Sequence, residues 1–358
     1  MSHAGLLLGG VVVALLLGVF LAGRFRRPLL PIALDGGPLL LAPAGRAGVV
    51  DARARFREIF VAVREDHGRA LPDDRPPDEA LVRLGGEGAA TGRPVALGPA
   101  DGSLRVVVVP GFFAECVKNL VSPFADGLAH LATHGYRTGV IMVSGRSSCR
   151  HNAAQLRDAI MAMTLAPGER LLLIGHSKGS ADILEALAAH AEIVPRVAAV
   201  VSVAGAVNGS PLADGVRRPY AAIVQKLPLR GCGAGDGAGL ASLRRAERLG
   251  FLARATLPAS VKYFSVGALV DGAGTSRLLR PSYRCLAELD PRNDSQVLAS
   301  DMLIPGGTLL GYARADHWAV ALPIARTWRR LAATLIDKNA FPREVLLEAI
   351  VRTVEESL

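Results

Sequence analysis

Between residues 104 and 317 the chain repeats one pattern. A short, mainly apolar run is stopped by small or polar residues, and a longer stretch with apolar positions at helical spacing follows. The runs are LRVVVVPG (104–111), RTGVIMVSG (137–145), RLLLIGHS (170–177), VAAVVSVAG (197–205), VKYFSVGALV (261–270) and TLLGYARADH (308–317). Because they do not alternate with polar residues, they predict strands buried on both faces. Residues 117–134, 152–166 and 178–190 lie between them and predict helices. Strand and helix in alternation imply an α/β architecture, a mostly parallel sheet flanked by helices.

The flanks read differently. VVDARARFREIFVAVREDHGRAL (49–71) predicts a helix that Asp51 can cap and Pro72 ends. Residues 28–50 and 72–103 are rich in glycine and proline and read as linker with a helical extension. The interval 211–258, with SPLADGVRRPY and LRGCGAGDGAG, breaks the strand–helix rhythm and is expected to form a small cap or lid over the strand ends. PREVLLEAIVRTV (342–354) predicts a closing amphipathic helix. Residues 6–23, LLLGGVVVALLLGVFLAG, carry no charge. As a helix they span about 27 Å, close to a bilayer's hydrocarbon thickness. No lysine or arginine precedes this segment, and Arg24, Arg26 and Arg27 follow it. That asymmetry favours an uncleaved, single-pass inner-membrane anchor with a cytoplasmic body over an exported protein with a cleaved signal. The expected organisation is an anchor (1–27), a linker and helical extension (28–103), and a body (104–358) that includes the cap.

The net charge of +9 comes almost wholly from arginine, since few of the 41 basic residues are lysine. A basic surface suits anionic headgroups, though an arginine-, alanine- and glycine-rich composition accounts for it equally well. Without a basic run or an interleaved aromatic stripe, nucleic-acid binding is not expected. Cys116, Cys149, Cys232 and Cys285 show no C-x-x-C spacing, which argues against a zinc or redox pair and predicts free thiols, or one disulfide if the body is exported. With no H-E-x-x-H and no spaced His/Asp/Cys cluster, neither a metal nor a cofactor is expected. No feature specifies an oligomeric state.

The chemistry gathers at Gly175-His176-Ser177-Lys178-Gly179, a G-x-S-x-G sequence placed where a strand ends and a helix begins. Such a turn strains the serine, needs small flanking residues, and presents the hydroxyl at the sheet's carboxyl edge beside helix amides. A helix-capping serine would explain Ser177 but not both glycines. The residue after such a nucleophile offers its backbone N–H to an oxyanion, which gives Lys178 a main-chain role; its side chain is expected in solvent or on a helix-dipole partner. His176 is expected to pack and position. His317, after the last predicted strand, stands where a base belongs. For the acid, Asp271 and Asp294 are both placed to serve, and both suit ordinary turns. Asp316 is too near His317 in sequence to reach its ring.

This constellation resembles the α/β-hydrolase fold, and within it bacterial serine lipases and esterases. VVVVPGFF resembles their oxyanion strand-turn, with Pro110 in place of the usual histidine. VSVAGAVNGSPLAD resembles the segment after their nucleophile helix, and NDSQV their N-D-G-x-V acid motif, with Ser295 in place of glycine. The resemblance covers residues 105–323. It implies Ser177, His317 and Asp294 as a triad, Asp271 being the alternative acid. It also implies the backbone N–H groups of Phe112, after Gly111, and of Lys178 as the oxyanion hole, acyl transfer through a covalent intermediate, and an acyl-ester or lipid substrate. An acyltransferase or thioesterase uses the same groups, and a hydrolase fold that only binds a partner is the reading from another class.

Overall fold

The computed structural model describes residues 34, 36–38, 40, 48–117, 121–215, 233 and 235–358. The apolar segment 6–23 and the middle of the expected cap lie outside them. Among the described residues no helix is long and apolar enough to cross a membrane.

The strands are β1 (Val50–Asp51), β2 (Leu81–Val82), β3 (Leu104–Val109), β4 (Arg137–Val140), β5 (Arg170–His176), β6 (Val197–Val203), β7 (Lys262–Ala268) and β8 (Thr308–Ala313). They form one sheet in the order β1-β8-β7-β6-β5-β3-β4, and β2 joins β8 off this path. Every pairing is parallel except that of β2 with β8. The main helices are α1 (Arg53–Asp66), α2 (Ala125–Thr133), α3 (Cys149–Ala162), α4 (Lys178–Ala189), α5 (Arg245–Arg254), α6 (Arg280–Ala287) and α7 (Arg343–Ser357).

The absence of alternation in the strands has a direct cause. Val106, Val108, Leu172 and Ile174 pack with α1, α2 and α7 on one face of the sheet. Val107, Val109, Leu171 and Leu173 pack with α3, α4 and α5 on the other. Both sets of side chains are therefore shielded from water, and each fully buried aliphatic contributes about 1.5–3 kcal/mol.

The segment expected to be linker and extension is part of this body from residue 50 onward. β1 and β2 both pair with β8. Phe56, Ile59, Phe60 and Val63, the i, i+3, i+4, i+7 stripe of α1, are at most 1% exposed. The N-cap of α1 is Ala52 and not Asp51 as expected, with no side-chain cap, although Asp51 one residue earlier accepts the Arg53 amide at 3.1 Å. Strands this short carry no readable periodicity, so the boundary at 103/104 has no physical counterpart. The end of the interval expected to form a cap belongs to the body instead. Leu252 of α5 belongs to the second-face core, and buried Arg248 donates to Glu185 of α4 at 2.8 Å. α7 is less amphipathic than predicted: residues all round it are buried, charged Glu348 and Arg352 among them. Of the cysteines described, Cys149 and Cys285 are not in disulfides. Cys116 is disulfide-bonded, contrary to the free-thiol expectation.

Candidate active site

Ser177 links β5 to α4 with φ +56° and ψ −127°, a left-handed backbone that costs a non-glycine residue about 1–3 kcal/mol. The turn is held by its neighbours: the Ala206 and Ser180 amides donate to the Ser177 carbonyl at 3.0 and 3.2 Å. Both flanking glycines are required by close approach. A Cβ at Gly175 would meet the Ser180 backbone at 2.5 Å, and one at Gly179 would meet the Val109 carbonyl oxygen at 2.1 Å. The turn after β3 lies directly against the serine, since a Cβ at Gly111 would fall 2.6 Å from the Ser177 Cβ. Phe112 follows on that turn. Lys178 opens α4, where a helix's first amides have no partner within the helix.

His317 comes from the loop after β8. Its Nε2 lies 2.9 Å from Ser177 Oγ and its Nδ1 2.5 Å from Asp294 Oδ2. Asp294 is fully buried, and its other oxygen accepts the Gln296 and Val297 amides at 2.8 Å each. The His317 amide donates to the Asp294 carbonyl at 2.8 Å, tying the two loops together. Asp271 is elsewhere engaged: its exposed carboxylate caps the Gly274 amide at 2.7 Å. Asp316 points away from the ring, accepting the Trp318, Ala319 and Ser276 amides and so anchoring the His317 loop.

His176 is buried, and its Nε2 lies 3.1 Å from the His317 carbonyl oxygen. Burial, together with the neighbouring His317 ring, pushes its pKa down to about 3 despite that hydrogen bond. The neutral ring therefore donates from Nε2, holding the His317 backbone in place.

The Lys178 side chain does not reach solvent, as had been expected of it. It is fully buried and its Nζ donates to Asp182 at 2.6 Å, one turn along α4. Burial opposes its charge, but the Asp182 carboxylate outweighs that effect and the pKa is raised. Asn152 of α3 donates to the other Asp182 oxygen at 2.8 Å and to the Ser144 carbonyl at 3.0 Å. The next carbonyl, that of Gly145, accepts the Phe113 amide. A chain of polar contacts thus joins the serine's helix to the turn that carries Phe112. The sequence offered one signal for it, the i, i+4 spacing of lysine and aspartate.

Ser295 explains its own departure from the lipase pattern. Its φ is +83°, where glycine is favoured, and its hydroxyl is buried without a hydrogen-bond partner. Ser295→Gly is expected to stabilise the protein by about 1 kcal/mol, a rise in Tm of about 1–2 °C by calorimetry, by relieving the left-handed strain and the unmet hydroxyl. A fall in Tm would mean that the turn is not strained.

The fold also assembles a group that sequence reasoning missed. His67, His130, His134 and Glu348 come together with their ligand atoms within 4.8 Å of one another, although no metal was expected. Only the i, i+4 histidines of HLATH hint at it in the sequence.

The crystal structure of the metagenomic carboxyl esterase MGS0156 matches with a TM-score of 0.84 and 45% identity, covering 93% of this chain and 100% of that one. The mature form of the Bacillus licheniformis lipase BlEst2 matches with a TM-score of 0.50 at 22% identity, over 63% of this chain and 89% of that one, a likeness of fold. No protein-family model and no curated protein matches the sequence.

Proposed function

Since the chain belongs to the carboxyl esterases of the α/β-hydrolase fold, we propose that it cleaves its ester through a Ser177–His317–Asp294 triad and a covalent acyl-enzyme. The observation that carries this reading is the continuous path from Ser177 Oγ to His317 Nε2 at 2.9 Å and from His317 Nδ1 to Asp294 at 2.5 Å. Ser177 Oγ attacks the carbonyl carbon as His317 Nε2 takes its proton. The buried Asp294 carboxylate accepts from Nδ1–H and stabilises the imidazolium. The oxyanion is received by the backbone N–H groups of Lys178 and Phe112. His317 then protonates the departing alkoxide, leaving Ser177 acylated. Water, deprotonated by the same imidazole, releases the acid and restores the serine.

The substrate we propose is a lipid-derived or other acyl ester, presented to an enzyme tethered by residues 6–23. The length and lack of charge of that segment support the tether. The arginines after it favour a cytoplasmic body, whereas the disulfide at Cys116 favours an oxidising compartment. Alkaline phosphatase fused to the C-terminus distinguishes the two, being active only outside the cytoplasm.

A fluorophosphonate probe tests the chemistry, with one adduct per chain expected at Ser177 by intact mass and peptide mapping. A folded protein that takes up no label there would overturn the acyl-enzyme. A series of 4-nitrophenyl esters tests the substrate: kcat/KM rising towards long acyl chains supports a lipid ester, and falling values refute it.

A further inference from the structure

On the sheet face covered by α1, α2 and α7, three imidazoles converge on one buried carboxylate. His67 ends α1, His130 and His134 lie one turn apart at the end of α2, and Glu348 projects from the middle of α7. His67 Nδ1 lies 3.0 Å and His130 Nε2 2.7 Å from Glu348 Oε2. The His134 ring centroid is 4.1 Å from that of His67 and 4.7 Å from that of His130. Glu348 is completely buried.

A buried carboxylate needs hydrogen-bond donors, but that need alone does not account for this arrangement. Arg352 donates to Glu348 Oε1 at 3.2 and 3.3 Å, and a single imidazole would serve Oε2. His134 adds a third ring. The far side of the group is also fixed in the manner of metal ligands. His67 Nε2 lies 3.2 Å from Asp66 Oδ2, so a carboxylate orients the ring whose Nδ1 faces the cluster. Arg352 donates to Glu348 Oε1, which His67 Nδ1 also approaches at 3.0 Å, while Oε2 faces His67 and His130. Such outer contacts set the tautomer and orientation of metal-binding side chains.

We infer that His67, His130, His134 and Glu348 form a binding site for a divalent transition metal, with Zn²⁺ the best-matched ion. Three imidazole nitrogens and one carboxylate oxygen make a four-ligand set of borderline softness, which suits Zn²⁺ and its neighbours. Ca²⁺ and Mg²⁺ prefer all-oxygen sites. With four protein ligands the site is closed, so the ion acts as a structural tie between α1, α2 and α7, joining segments up to 281 residues apart. Chelator-treated full-length protein should therefore bind one equivalent of Zn²⁺ by calorimetric titration, and its Tm should rise by about 5 °C at a hundredfold excess over Kd. Co²⁺ should give the intense visible bands of a four-coordinate ion, bleached by Zn²⁺ and not by Ca²⁺. His134→Ala should abolish the Co²⁺ bands and weaken Zn²⁺ at least a hundredfold, while hydrolysis of 4-nitrophenyl acetate reports an intact fold. Wild-type protein without Zn²⁺ uptake and without Co²⁺ bands would overturn the site whatever the variant does. So would equal Zn²⁺ binding by a folded His130→Asn/His134→Ala variant.

Discussion

Ser177→Ala is expected to abolish ester hydrolysis, lowering kcat by about 10⁶-fold while leaving the protein folded. The substitution removes one oxygen atom that accepts no capping hydrogen bond in α4 and that lies against His317 Nε2. The turn itself is held by backbone contacts from Ala206 and Ser180, which alanine preserves. Tm should accordingly stay within a few degrees of wild type. What remains are the proposed oxyanion donors with no nucleophile beside them, so any residual rate reflects those donors and water. The assay is kcat/KM on 4-nitrophenyl acetate beside fluorophosphonate labelling of the same preparation. Turnover within tenfold of wild type would exclude Ser177 as nucleophile.

Asp294→Asn should cost about 10⁴-fold in kcat, and Asp271→Asn less than about threefold. The asparagine at 294 can keep its carbonyl oxygen towards the Gln296 and Val297 amides that Asp294 now accepts. Its NH₂ then faces His317 Nδ1 and turns that nitrogen into an acceptor. The proton moves to Nε2, which can no longer take one from Ser177. The loss is therefore a matter of tautomer, with little change in geometry. At position 271 the exposed carboxylate only caps the Gly274 amide, and an asparagine oxygen does the same. Paired pH–rate profiles of the two variants check this, and a large loss confined to Asp271→Asn would reverse the assignment of the acid.

How much of this was legible depends on whether the determining contacts are local. The mainly apolar runs announced a sheet covered on both faces, which holds for β3 and β5–β8, whereas no residue of the edge strand β4 is buried. G-x-S-x-G announced the serine's turn, because the clashes that demand glycine at 175 and 179 are with backbone a few residues away or on the adjacent strand. β1 and β2 were not legible, being too short for any period to show. Lys178 was misjudged because a charged side chain after a turn ordinarily faces water. Its burial depends on Asp182 and on Asn152, brought in by α3 from 30 residues before that aspartate.

The acid shows the same limit. Asp271 and Asp294 both sit in turns that suit an aspartate, and local chemistry does not choose between them; the resemblance of NDSQV to a lipase motif did. In the folded chain, Asp294 is brought to the ring of His317 across 23 residues, and Asp271 is not. The histidine cluster was beyond reading, since its ligands lie on three helices and nothing in one helix specifies what the next two will present. From residue order alone came the class of fold and the strained serine, which follow from short-range sterics and the period of apolar positions, while the family of its chemistry came from the resemblance of its motifs to those of bacterial lipases and esterases. Which acid faces the histidine, where the lysine's charge is spent and which imidazoles meet became fixed only on folding, because each is a contact between segments whose closeness the packing of helices on the sheet creates.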